Sequence, residues 1–503
     1  MKNQIEIDFQ IDPEMENVRM LSNPEGYKGI AAFHKYWGKK PIECLNFIIE
    51  KFTKPNDIIL DPFVGSGLIA LEALKRNRKF IGIDINPISI ELTTLMANLP
   101  SYERIKDAVS EIEKKAKDQI NSCYQTHNNS IATHYLYSGN AIQSVWIKGH
   151  KNQRIELSPD KNDIALLEKF SEYKTKNIGN PQFFQNSRIN TDKTMTIYDL
   201  FTTRALFCID TLIDQINMFE PDIRRALLLV LTSSSGQMSK MVFAIANRGK
   251  KSGLSSDKIE VGSWAIGYWR PTIHFEINVW NCFVNKANKF LKSLKYIDKN
   301  PYIDISKSLE DIFDSSSNLL LILGDTRSEI KRIRDNSIDL VITDPPHGDR
   351  IPYLELSSVW NAILKAEPQY SNEIVVSNAK ERGKNLKHYN EIMEEVTTQL
   401  FRVLKPDGIL ALIFNSTDIK YWEFLINASK HNGISFIGCF PMNYSASSIV
   451  QDNRRGALKQ DFVLIYIKGP TANRESVINN LSSIPGWSNS YPVRVRTQRI
   501  EAR

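Results

Sequence analysis

Asp57-Ile58-Ile59-Leu60-Asp61-Pro62-Phe63-Val64-Gly65-Ser66-Gly67 is the stretch on which the fold turns. Its first five residues form a short apolar run ending in an acid, the pattern of a buried strand. Two glycines follow within six residues, and an apolar helical pattern, Leu68 to Leu74, begins at once. Glycine lets a backbone approach a ligand closely and turn sharply. A second strand, Lys79 to Asp84, also ends in an acid, 17 residues past Gly67. Strand, glycine loop, helix, strand and terminal acid together are the plan of a nucleoside-binding half-sheet, in which Asp84 accepts ribose hydroxyls. A third glycine at dinucleotide spacing is missing, and there is no Gly-Lys-Ser/Thr phosphate loop. The pattern therefore favours a nucleoside cofactor without a pyrophosphate.

A second half-sheet lies far downstream. Leu319 to Asp325 and Ile338 to Ile342 read as buried strands, and the latter runs into Thr343-Asp344-Pro345-Pro346-His347-Gly348-Asp349. Consecutive prolines fix the backbone and donate no N–H, which leaves carbonyls available as acceptors. A carboxylate beside rigid carbonyls makes a pocket for an NH₂ group. In open α/β sheets ligands collect at the carboxyl ends of strands. Asp61, Asp84, Asp325 and Asp344 are thus expected to line one cleft.

Between the halves, residues 101–317 read as a large, mostly helical insert. Helical patterns cover Tyr102 to Lys117, Thr203 to Met218, Ile223 to Leu231 and Asn281 to Leu294, whereas 119–195 is polar, Asn-rich and weakly periodic. Residues 101–300 hold 28 Lys and Arg against 20 Asp and Glu, so this middle section carries the excess behind the net charge of +7. Basic residues (Arg248, Lys250, Lys251) interleave with Trp264, Trp269 and Trp280, a combination suited to a nucleic-acid backbone and bases; the bland alternative makes those aromatics core. Arg350, Arg454 and Arg455 are further candidates for nucleic-acid contact. Residues 367–388 read as a mobile polar segment, 318–468 as the second half of the main domain, and 469–503 as a polar tail.

No apolar run reaches membrane-spanning length, and Met1 to Gln10 is not a signal peptide, so a cytoplasmic chain is expected. The five cysteines are scattered without a CxxC pair, which argues against a zinc site or disulfide framework.

Taken together, Asp61 to Gly67 resembles the S-adenosylmethionine (AdoMet) motif of the amino DNA methyltransferases. Asp344-Pro345-Pro346-His347 is similar to their catalytic Asp-Pro-Pro-Tyr motif, and Trp37-Gly38-Lys39-Lys40 to their additional AdoMet-contact motif. The resemblance covers about 30–100 and 318–468. It implies a Rossmann-like α/β sheet with helices on both faces, divided as 1–100, 101–317, 318–468 and 469–503, with the insert as target-recognition region. AdoMet would be held by Trp37, Lys39, Asp61, Phe63, Gly65, Gly67, Asp84 and Asp325. The amino group, adenine N6 before cytosine N4, would be held by Asp344 and the Pro345 carbonyl. DNA is the implied partner, with proteins of a restriction-modification or defence system. Two other readings remain: a tRNA guanosine N2 methyltransferase, and a catalytically silent DNA-binding subunit. His347 departs from the motif, which has an aromatic there to stack on the flipped base.

Overall fold

The computed structural model describes residues 24–245, 259–264, 267–295, 303–416, 418–428, 433–443, 460–469, 484 and 486–492. Among the described residues thirteen strands fall in chain order: β1 Ile58–Asp61, β2 Lys79–Asp84, β3 Ala132–Ser138, β4 Ala141–Lys148, β5 Arg154–Leu157, β6 Val242–Ile245, β7 Glu260–Trp264, β8 Ile273–Ile277, β9 Leu319–Leu323, β10 Ile338–Thr343, β11 Leu404–Phe414, β12 Ile434–Asn443 and β13 Gln460–Lys468.

Seven of them make one sheet in the order β12-β13-β11-β10-β1-β2-β9. The run from β11 to β9 is parallel, and β13 enters antiparallel between β11 and β12. Parallel strands covered on both faces carry near-continuous apolar sequence, and every residue of β1 and β2 is buried. Helices Ile42–Phe52 and Leu68–Lys75 cover one face, packed on Ile59, Leu340, Ala411 and Ile465. Helix Leu386–Val403 covers the other, on Leu60, Val341, Leu410 and Leu464. The chain leaves β1 for β2 on one side and enters β10 and β11 on the other. The carboxyl ends of β1 and β10 therefore form the switch point at which such sheets bind ligands.

The insert holds more than the helices its sequence announces. Helices Tyr102–Ser122, Thr203–Ile216, Pro221–Ser235 and Val279–Leu294 form an apolar cluster. Beside them lies a six-stranded antiparallel sheet, β5-β4-β3-β8-β6-β7. β3 to β5 occupy the Asn-rich stretch read as irregular. The β8 partner of β3 lies more than a hundred residues downstream, and β4 and β5 alternate too weakly to announce strands. The pivot between helix and sheet is Arg204, fully buried, whose guanidinium meets Glu276 on β8 at 2.7 and 2.9 Å. Tyr124 and Tyr137 donate to the same carboxylate at 3.2 and 3.0 Å.

Residues 367–388 are tied down, contrary to their polar look. Arg382 bonds Glu355 at 2.5 Å and Glu373 at 2.6 Å, and the Val376 amide donates to the Gly348 carbonyl. Charged side chains that satisfy one another inside the fold read as solvated ones in sequence. No helix among the described residues is long and apolar enough to cross a membrane.

His34 joins the main domain to the insert, with Nδ1 2.7 Å from the Lys35 carbonyl and Nε2 3.1 Å from the Thr232 hydroxyl. Burial pushes this imidazole down to about 3. Its folded value lies below its unfolded one, so the stability from keeping it neutral is complete above about pH 6.5 and falls away as pH drops. Between pH 7.5 and 5 this group is expected to withdraw about 2 kcal/mol. Urea midpoints at the two pH values, in the parent and in His34→Gln, check it; an equal shift in both refutes the assignment.

Candidate active site

Asp61 ends β1 with one carboxylate oxygen spent. Its Oδ1 accepts from the Phe63 amide at 3.0 Å and the Thr343 hydroxyl at 2.7 Å. Oδ2 is buried with no hydrogen-bond partner. Burial pushes this carboxyl up to about 7, against those two bonds and with help from Asp84 and Asp344. An unpaired buried acceptor of this kind calls for a donor from a ligand.

The glycine loop needs its glycines. Gly65 and Gly67 have φ of 54° and 77°, the left-handed region that side chains avoid. A Cβ on Gly67 would stand 2.4 Å from the Thr93 hydroxyl oxygen, so the loop is seated directly on helix Pro87–Ala97. Asp84, at the end of β2, accepts from the Gly65 amide at 2.7 Å and the Asn86 amide at 2.8 Å. Burial raises it to about 6 in spite of those amides. The Ser89 side chain also bonds this carboxylate, which leaves it a lone pair for a further donor.

A cleft opens above these strand ends. Asp61, Phe63, Gly65 and Asp84 wall it on one side. Trp37, Lys39, Asp325, Asp344 and Pro346 close it from the others. Gly67, Pro345 and His347 are not among its walls. Trp37 stacks on Trp360 with ring centres 4.8 Å apart, and its buried Nε1 has no partner. Lys39 is committed to the chain: its amine donates to the Ala31 and His34 carbonyls at 2.7 Å each. Asp325 accepts from the Arg327 amide and pairs with its guanidinium at 2.7 Å.

The lysine that reaches the carboxylate of Asp344 is Lys40, at 2.9 Å, and the same amine meets Asp461 at 2.9 Å. Burial works to raise Asp461, but Lys40, His347 and Arg350 outweigh it and hold the acid well below the usual range. The Tyr389 hydroxyl occupies the Pro346 carbonyl at 2.6 Å, not that of Pro345. His347 faces inward, edge-on to Phe414 at 4.8 Å, with Nε2 3.2 Å from the Ile413 carbonyl. Its Nδ1 lies 2.7 Å from Arg350 Nη1. Arg350 is thereby placed beside the active carboxylate, whereas Arg248, Lys250, Lys251, Arg454 and Arg455 lie outside the described residues.

Sequence reasoning missed Lys40, Asp461, Tyr353 and Glu373. Lys40 stands next to a residue that was chosen, and Asp461 is a lone acid in an otherwise apolar strand, a signal available without a structure. Tyr353 stacks against Tyr36 across the cleft at 5.9 Å. Glu373 comes from the stretch taken for a mobile loop and accepts from the Leu354 amide at 2.9 Å.

Residues 12–94 match a family model described as DNA methylase. Over 431 residues the chain is 25% identical to the type II methyltransferase M.MjaII of Methanocaldococcus jannaschii, covering 80% of this chain and 75% of that protein. It is 38% identical over 69 residues to the type II methyltransferase M.HindIII of Haemophilus influenzae, covering 14% of this chain and 20% of that protein. Among solved structures, the rRNA methyltransferase aviRa of Streptomyces viridochromogenes aligns over 87% of this chain and 90% of its own, at 9% identity and a TM-score of 0.26.

Proposed function

We propose that this chain is an AdoMet-dependent methyltransferase of the amino DNA methylase family and that it methylates the exocyclic amino group of a base flipped out of DNA. Adenine N6 is favoured over cytosine N4, because the motif carries Asp before its prolines. One observation carries the reading: Asp344 opens into the same cleft as the glycine loop and Asp84.

AdoMet brings a methyl group on a positively charged sulfur. The residues that would hold it fit the task. The unpaired Asp61 Oδ2 and Trp37 Nε1 offer an acceptor and a donor, the glycine loop admits a close ligand, and the acid-rich walls suit a cation. Asp84 would accept a ribose hydroxyl with its remaining lone pair.

An exocyclic base nitrogen is a poor nucleophile because its lone pair is delocalised into the ring. Asp344 and the Pro345 carbonyl would accept its two hydrogens, aim the lone pair and stabilise positive charge growing on nitrogen. Holding the amine in line with the methyl group supplies much of the remaining rate. The insert, rich in basic residues, would present the DNA, and a restriction-modification setting is consistent with the type II relatives.

Transfer of labelled methyl to duplex DNA and to tRNA, with mass analysis of the modified base, tests this reading. N6-methyladenine in DNA is the expected product; methylguanosine in tRNA alone overturns it. A pH effect is also expected. Asp84 must be ionised to accept hydroxyls, so AdoMet affinity should weaken by about tenfold per pH unit below about 6. Calorimetric titration at pH 5 and 7.5 reads it, and an equal affinity at both pH values contradicts the role given to Asp84.

A further inference from the structure

Four side chains and the catalytic carboxylate together close into a ring. Asp344 Oδ2 meets Lys40 Nζ at 2.9 Å, and Lys40 Nζ meets Asp461 Oδ2 at 2.9 Å. Asp461 Oδ1 faces Arg350 Nη1 at 3.5 Å, and that nitrogen lies 2.7 Å from His347 Nδ1. His347 Nε2 returns to Asp344 Oδ1 at 3.0 Å. A guanidinium has donors and no acceptor, so Arg350 fixes Nδ1 as the accepting nitrogen and puts the imidazole proton on Nε2. That proton points at the Ile413 carbonyl, 3.2 Å away, and Asp344 Oδ1 keeps no aligned donor. The ring thus grips one oxygen of Asp344 and leaves the other for an amine.

We propose that Lys40, Asp461, Arg350 and His347 act as one positioning frame for Asp344, and that His347 serves as the link that anchors Arg350 to the Ile413 carbonyl beside Asp344 and not as the stacking ring for the target base. The burial of the members agrees: the Asp461, His347 and Lys40 side chains are 1%, 7% and 9% exposed. His347 is absent from the walls of the cleft, so it presents no face to a base held there. The frame draws its parts from the loop before helix Ile42–Phe52, from the turn after β10 and from the start of β13. It therefore ties both halves of the sheet to one carboxylate.

The inference rests on the methyl-transfer reading, and the test separates the two. His347→Tyr, which restores the aromatic of the related motif, is expected to lower kcat by about 100-fold, with KM for DNA and AdoMet affinity unchanged. His347→Gln, which keeps a donor and an acceptor, should retain more activity than His347→Tyr. Lys40→Met should lose kcat to a similar degree, and Lys40→Arg should recover part of it. A His347→Tyr variant as fast as the parent overturns the proposal. Denaturation midpoints of Lys40→Met, Asp344→Asn and the double variant read the contact without turnover: non-additive shifts support the ring, and additive shifts overturn it. A parent protein that binds AdoMet but methylates no DNA counts against the function proposed above, and the denaturation cycle then still decides the ring.

Discussion

Asp344→Ala is expected to cut methyl transfer by about a thousandfold while leaving AdoMet binding within a small factor of the parent. Removing one preorganised group that stabilises developing charge costs about 10²–10³ in kcat. Here the same carboxylate also aims the nucleophile, so the upper end applies. The fold should survive the change. Lys40 keeps its 2.9 Å contact with Asp461, so no buried cation is stranded. The glycine loop, Asp61 and Asp84 do not depend on Asp344 for their hydrogen bonds. Single-turnover kinetics with labelled AdoMet, beside calorimetric titration of AdoMet, separate chemistry from binding. Parent-like turnover would remove Asp344 from the mechanism.

The second large effect lies in the insert. Arg204→Met should destabilise it by about 3–5 kcal/mol, the usual loss when one member of a buried ion pair is removed. Arg204 and Glu276 are 0% and 1% exposed. Burial opposes the charge on each, yet their mutual attraction prevails, raising the arginine and lowering the glutamate. Without Arg204, the Glu276 carboxylate keeps only the hydroxyls of Tyr124 and Tyr137 among the partners described above. The double variant Arg204→Met/Glu276→Leu should recover most of the loss, since no lone charge remains inside. Urea denaturation of the three variants checks this; a double variant as unstable as the single one would show that the pair is not the cause.

The half-sheet Asp57 to Asp84 was legible because its signals are local: apolar run, glycines and acid follow one another within thirty residues. The cassette at Asp344 was legible for the same reason. What escaped is non-local. β3 to β5 acquire their identity from pairing with one another and with β8; the Gly139-Asn140 link between β3 and β4 is a hairpin signal, but the apolar periodicity around it is weak. Arg382, Glu355 and Glu373 look like solvated charges until the fold brings them together. Lys40 and Asp461, 421 positions apart in the chain, give no sequence sign of their contact. His347 was chosen as a member of the motif, but the face it turns to the protein depends on Arg350 and Ile413.

The order of strands in the main sheet also governs how the molecule comes into being. β1 lies between β2 and β10, yet β10 leaves the ribosome roughly 280 residues after it. At about 5–20 residues per second, that is an interval of roughly 15 s to a minute. For most of it the nascent β1–β2 pair has bare edges on both sides, since β9 is made only shortly before β10. The N-terminal half of the AdoMet cleft must therefore wait, unfinished and open to wrong partners, while the entire insert is synthesised.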